Sequence, residues 1–268
     1  MKKRPIGIFD SGVGGLTVFK EIRKKYPFED IVYFGDTARV PYGPKSMNTV
    51  IQYSIQNARF LMQLGAKIIV IACNTSSAVA LQKLKDILPV PVVGVIEPGV
   101  KSAIKSSKNS RIGIIGTEGT IRSKAYSKAI FRLNKKAEVY SKACPLLVPL
   151  AEEGWEDHPV TKITIKEYLN PILQKKIDTL VLGCTHYPIL KQPIQQIVGS
   201  NIKLVDSAEA IGEQLEDILP FPETSRAGED HFYVSDNEEK FGMIASRILN
   251  KKIETLVKVN LGESWYIS

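Results

Sequence analysis

The chain has 268 residues, 36 of them basic and 28 acidic for a formal net charge of +8, with the 44% hydrophobic content of an ordinary globular protein. That length holds one large α/β domain or two smaller ones, each with a sizeable core. No apolar run approaches the ~20 residues of a membrane span and Met1-Lys2-Lys3-Arg4 opens no secretory signal, so no membrane contact and a cytoplasmic location are expected.

The basic residues fall in scattered pairs and triplets with no long block or aromatic-rich motif beside them, which gives no support for nucleic-acid contact. A mild positive field favours an anionic small substrate instead. Three cysteines, an odd count without framework spacing, read as reduced thiols.

Residues 5–9 predict a strand, followed by the turn Asp10-Ser11-Gly12-Val13-Gly14-Gly15 and a helix over 16–26 with Val18, Phe19 and Ile22 on one face. The turn has neither dinucleotide nor P-loop spacing. Either Asp10 or Ser11 caps the helix, or Ser11 and backbone N–H groups hold a carboxylate at its N-terminus. A second strand over 31–35 leads to Val40-Pro41-Tyr42-Gly43-Pro44, a rigid loop. A helix over 46–64, a strand over 67–72, a helix over 77–88 and a strand over 89–95 complete a parallel α/β pattern.

The chain leaves this first unit near Glu97-Pro98-Gly99. Strands are predicted over 111–115 and 137–140, a helix over 121–133, and helices over 164–175 and 189–198 on either side of a strand that ends at Cys184. After residues 203–206 come a helix over 208–218, an exposed linker over 220–228, a strand over 231–234, a helix over 238–249 and a last strand over 256–259.

Two echoes mark an internal repeat. Ile6-Gly7-Ile8-Phe9-Asp10-Ser11 returns 106 positions later as Ile112-Gly113-Ile114-Ile115-Gly116-Thr117, and Ala72-Cys73-Asn74-Thr75 returns 111 positions later as Gly183-Cys184-Thr185-His186. The fold expected is α/β, with two similar, pseudo-twofold-related lobes of mainly parallel sheet flanked by helices and an active site in the cleft between them. Residues 1–97 and 208–268 would form the lobe carrying Cys73, and residues 98–207 the lobe carrying Cys184. Both cysteines fall just past strand C-terminal ends, where such sheets gather ligands.

A buried cysteine is usually a small core hydrophobe, and Cys144, inside an apolar run, takes that reading. Matched positions for Cys73 and Cys184 suggest matched jobs, and a following helix N-terminus can lower a thiol pKa. His186 lies two residues from Cys184, where it could tune that thiol, while the local ligands complete no zinc site. One thiolate can remove a proton from a carbon while a thiol on the opposite face returns one, inverting the centre.

Phe9-Asp10-Ser11-Gly12-Val13-Gly14-Gly15, Val40-Pro41-Tyr42-Gly43, Ala72-Cys73-Asn74-Thr75, Val148-Pro149-Leu150-Ala151-Glu152-Glu153-Gly154 and Gly183-Cys184-Thr185-His186-Tyr187-Pro188, in this order and spacing, closely resemble the glutamate racemases. The resemblance implies interconversion of L- and D-glutamate without cofactor or metal, supplying D-glutamate for peptidoglycan. It implies that Cys73 takes the α-proton from D-glutamate and Cys184 from L-glutamate, with Asp10 assisting near Cys73, His186 near Cys184, and Glu152 as a supporting acid in competition with its neighbour Glu153. Ser11, Asn74, Thr75 and Thr185 would hold the amino-acid head group, with Pro41, Tyr42, Gly43, Thr117 and Thr120 around the remaining polar surface. Asp10 and His186 would also touch substrate. Glutamate is the expected partner and a homodimer the expected assembly, with no support for contact with gyrase. The competing readings are a racemase of aspartate or a related acid with the same paired-thiol chemistry, and a binding module in which both cysteines are merely packed.

Overall fold

In the computed structural model, which describes residues 4–219 and 226–261, short strands rich in branched residues run parallel, and the inner ones are buried on both faces. The first four are β1 (Ile6–Asp10), β2 (Ile31–Gly35), β3 (Ile68–Ile71) and β4 (Val92–Gly94), joined through helices α1 (Leu16–Lys25), α2 (Met47–Gln63) and α3 (Asn74–Ile87). Helix α4 (Ile96–Ser106) crosses to a second set: β5 (Arg111–Gly116), α5 (Glu118–Ser123), α6 (Ala125–Leu133), β6 (Glu138–Ala143), α7 (Leu147–Glu152), α8 (Pro159–Leu173) and β7 (Thr179–Gly183). A 3-10 turn (Tyr187–Leu190), α9 (Lys191–Val198) and β8 (Lys203–Asp206) complete it. Helix α10 (Ser207–Glu216) returns the chain to β9 (Asp230–Val234), α11 (Glu238–Leu249) and β10 (Leu256–Lys258).

Two parallel sheets result, with orders β10-β9-β2-β1-β3-β4 and β6-β5-β7-β8. Strands β2-β1-β3-β4 and β6-β5-β7-β8 therefore follow one plan, and β9 and β10 extend only the first sheet. The registers carry the sequence repeat. Ile6 pairs with Ile68, and Ile112 with Thr179, which reproduces the 106- and 111-residue offsets found in the sequence. In each plan the chain turns from one side of its first strand to the other, so the loops after β1 and β3, and after β5 and β7, flank a crevice at the strands' C-terminal ends.

Alternation along the strands divides each sheet's core in two. Ile6 and Ile8 pack with α1, α10 and α11, whereas Phe9, Val32 and Ile71 pack with α2 and α3. In the second sheet Leu180 and Leu182 meet α7 to α9, and Ile112, Ile114 and Val181 meet α4 and α6.

Several boundaries depart from the sequence expectations, each for a local reason. Helix α3 begins at Asn74 rather than 77, with Cys73 itself as N-cap and without a side-chain cap hydrogen bond. The helix expected over 121–133 is two helices, because Lys124 is left-handed at φ 57°. There the Ser123 hydroxyl donates to the Thr120 carbonyl at 2.6 Å and accepts from the Ala125 N–H at 3.1 Å, offering the backbone a turn in place of a continuous helix. Helix α1 is entered through Gly15 with no side-chain cap, so neither Asp10 nor Ser11 caps it. Residues 220–225 of the expected linker lie outside the described residues. Among the described residues no helix is long and apolar enough to cross a membrane.

Candidate active site

Asp10 ends β1 and is fully buried, and the loop after it turns at once because its carboxylate accepts from the Gly12 N–H at 3.0 Å. The next residue, Ser11, accepts from the Cys73 thiol, Sγ to Oγ 3.6 Å. Cys73 sits just past β3 at the mouth of α3, 4% exposed. The expectation of a lowered thiol pKa fails for this residue. Burial, with the charge of Asp10 adding to it, pushes the Cys73 thiol up to about 11 against the opposing hydrogen bonds with the Ser76 backbone N–H and the Ser11 hydroxyl.

Cys184 sits just past β7, and a four-residue 3-10 turn follows it instead of an α-helix. Its company is ionisable. His186 places Nδ1 3.8 Å from the Cys184 sulfur and Nε2 3.0 Å from Glu152 Oε1 at the end of α7. Burial works against a charged imidazole, but the hydrogen bonds and negative charges of Cys184 and Glu152 outweigh it and hold His186 up at about 10. Despite partial burial, Glu152 is held below its ordinary value by His186, with Lys240 and Arg247 contributing. Glu153 is exposed and caps the end of α7, so the imidazole's partner is Glu152.

The two sides are stitched together reciprocally. On the Cys184 side, Thr185 reaches Asp10 Oδ1 at 3.4 Å, and Thr17 of α1 donates to the Thr185 carbonyl at 3.0 Å. A Cβ on Gly14 would lie 2.5 Å from His186 Nδ1, so this loop can approach only without a side chain. On the Cys73 side, Thr75 meets Thr117 at 2.8 Å and Thr120 at 3.4 Å, and Tyr126 of α6 donates to Asn74 Oδ1 at 2.6 Å. Asp10 acts by its charge on Cys73 and touches Thr185, the neighbour of Cys184. Its carboxyl is raised by burial, countered by the nearby His186 and the hydrogen bonds it accepts, and its charge acts on Cys73 in turn. The side-chain contact of the Asp10 carboxylate outside its own loop is thus with Thr185, on the Cys184 side, although the family resemblance associates Asp10 with Cys73.

Tyr42 is buried beneath its loop, where its hydroxyl donates to Asp36 and accepts from Asn57 Nδ2 at 3.1 Å. Arg39 grips the same Asp36 at 2.7 Å and stacks its guanidinium 4.2 Å over the Tyr53 ring. This network fixes Gly43, whose carbonyl would lie 2.9 Å from a Cβ on Gly119. Pro41 is exposed at the loop's edge. Sequence reading missed Tyr126, Thr17, Asp36, Arg39 and Arg247, whose parts depend on how distant segments meet. Cys144 is fully buried, its thiol pushed up to about 12 by burial, and it donates to the Lys142 carbonyl as a packed core residue. Among the described residues no group of three or more His, Cys, Asp or Glu side chains has the arrangement of a metal site.

The site therefore presents hydroxyls beside each of two buried thiols and an amide beside Cys73, a surface suited to desolvated carboxylates. In the first turn of α3, Asn74 Nδ2, Ser76 Oγ and Ser77 Oγ are buried without a hydrogen-bond partner. A family model described as Asp/Glu/Hydantoin racemase matches residues 17–215. A glutamate racemase of Geobacter metallireducens is 52% identical, over 97% of this chain and 98% of the relative. Among solved structures, a glutamate racemase isoform from Bacillus anthracis superposes with TM-score 0.94 at 40% identity, covering 97% of this chain and 99% of the other. The Francisella tularensis glutamate racemase in complex with D-glutamate gives 0.91 at 39% identity, over 98% and 100%. The chain belongs to the Asp/Glu/Hydantoin racemase family.

Proposed function

We infer that this chain is a glutamate racemase, a cofactor-independent isomerase that interconverts L- and D-glutamate and supplies D-glutamate for peptidoglycan synthesis. The observation that carries the mechanism is the placement of Cys73 and Cys184 at equivalent strand ends, in equivalent registers, with one buried carboxylate near Cys73 and hydrogen-bonded to the residue after Cys184. Cys73 takes the α-proton of D-glutamate and Cys184 that of L-glutamate, while the opposite thiol delivers a proton to the other face. Each turnover leaves the two sulfurs with exchanged protonation states, so the next runs in reverse until protons re-equilibrate.

His186 and Glu152 support Cys184, and Asp10 supports the Cys73 side. Ser11, Asn74, Thr75 and Thr185 bind the head group, with Pro41, Tyr42, Gly43, Thr117 and Thr120 around the remaining polar surface. The lobes are residues 1–97 with 208–268, and 98–207. Ala208, Ile211 and Leu215 in the first core, and Val100 and Ala103 in the second, support that division. The working assembly is a homodimer and the working location the cytoplasm.

The test is incubation of the purified protein, with no added cofactor, with each glutamate enantiomer in deuterated water. Deuterium should enter the α-position of both as optical activity is lost. A preference for aspartate in competition would reassign the substrate, and absence of α-exchange would reduce the site to a binding cleft.

A further inference from the structure

Arg247 projects from α11, which packs on the first sheet, and its side chain reaches the second unit. There Nη2 donates to the carbonyls of Ala151 at 2.7 Å and Glu152 at 2.8 Å, the last two residues of α7. Its Nε lies 3.7 Å from Glu156 Oε1. Gly154, at φ 74°, leaves the space the guanidinium occupies, because a Cβ there would meet Nη1 at 2.5 Å. Two helical turns earlier on the same face of α11, Lys240 Nζ stands 3.9 Å from Glu152 Oε2. The backbone and the carboxylate of one residue are thus both addressed by one helix from across the cleft.

We propose that Arg247 is a positioning residue for proton transfer at Cys184: by clasping the C-terminal carbonyls of α7 it fixes Glu152, and through Glu152 the orientation of the His186 ring against the thiol. The inference rests on the reading of His186 and Glu152 as supports of Cys184. It makes the Cys184 side dependent on closure of the two units, since a relative shift of even 1 Å breaks both hydrogen bonds and loosens the carboxylate. The Cys73 side is held by contacts that do not pass through α11, from Ser11, Thr117, Thr120 and Tyr126.

The test is Arg247→Met, which keeps the stem and loses charge and donors, beside Arg247→Lys, which keeps the charge. Each is assayed with α-deuterated L- and D-glutamate, with thermal melts to verify folding. Arg247→Met should lower kcat/KM on the order of 10-fold in both directions, and Arg247→Lys should recover part of that loss. The primary isotope effect on kcat/KM should rise with deuterated L-glutamate, as abstraction by Cys184 becomes more limiting, and fall with deuterated D-glutamate. Lost activity with both isotope effects unchanged, or no change at all, would overturn the proposal. Glu152→Gln serves as the reference. If it moves the isotope effects and Arg247→Met does not, the role of Arg247 falls and the reading of Glu152 stands. If neither moves them, both fall.

Discussion

Cys73 and Cys184 hold the same place in two sheets of the same plan, yet their surroundings share little beyond the strand end. Cys73 opens the 14-residue helix α3 and donates to a serine hydroxyl, and burial pushes its thiol up. Cys184 opens only a 3-10 turn and borrows an imidazole whose carboxylate partner comes from α7. Duplication of a fold therefore fixes where a reactive group stands, while its acid–base character is set by what the neighbouring loops bring. A reaction that runs both ways tolerates this, since each thiol need only match the proton it handles.

The comparison breaks outright if either thiol is dispensable. Cys73→Ser and Cys184→Ser should each lower kcat by about 10²- to 10⁴-fold in both directions, because a serine hydroxyl is far harder to ionise. Circular dichroism of the racemisation and of the folded chain separates loss of chemistry from loss of structure. A variant with near-normal turnover would sink the two-thiol mechanism.

Asp10→Asn and His186→Asn sharpen the comparison. About 10- to 100-fold losses are expected, with separate kcat, KM and isotope effects changing unequally between L- and D-glutamate while the ratio of the two kcat/KM values stays fixed by the equilibrium. The hydrogen bond from Thr185 to Asp10 makes this the harder test for Asp10. If its isotope-effect pattern matches that of His186→Asn, Asp10 works on the Cys184 side.

A smaller effect tests the stitching on the Cys73 side. Tyr126→Phe removes the 2.6 Å hydrogen bond to Asn74 and frees that amide to turn. The loss is about 1 kcal/mol, read as a KM several-fold higher with kcat little changed. An unchanged KM would show that Tyr126 only packs.

The two crossings between the sheets also differ. The helix after β4 has no side-chain cap, whereas Asp206 after β8 caps α10 by accepting from Ala208 N–H at 2.8 Å. Burial, reinforced by Glu209 and offset by that hydrogen bond and by Lys191, raises Asp206 to about 6 from 3.8. Folding thus favours the protonated acid. Its contribution is fully present below pH 3.8 and is lost as pH rises through 6, a cost of at most about 3 kcal/mol at neutral pH. Asp206→Asn, which can still cap, should raise Tm by a few degrees at pH 7.5 and leave it unchanged near pH 3.5. Equal shifts at both pH values would assign the effect to packing instead.

The repeat, the matched strand-end cysteines and the parallel α/β pattern were legible because buried strands are short apolar runs and each thiol follows one. The left-handed Lys124 was not, since nothing in a lysine announces that conformation and the Ser123 hydroxyl that supports it is common in helices. Glu152 and Glu153 are chemically alike, and only the direction of α7 distinguishes them, as neighbouring helix positions point about 100° apart. Tyr126 and Arg247 act on residues 52 and about 95 positions away, and no local pattern encodes such a meeting.

Strand β2 pairs on its outer side with β9, so Ile31–Gly35 waits for Asp230–Val234 to cover it. During synthesis from the N-terminus, the four strands of the second sheet are all available before that partner leaves the ribosome. The first unit to be made is thus the last to be finished, and until then it carries an open, apolar edge of Ile31, Val32, Tyr33 and Phe34, a template for pairing with another nascent chain. A chain cut short before β9 should aggregate through that edge even though both cysteines, and nearly every residue around them, have already been made.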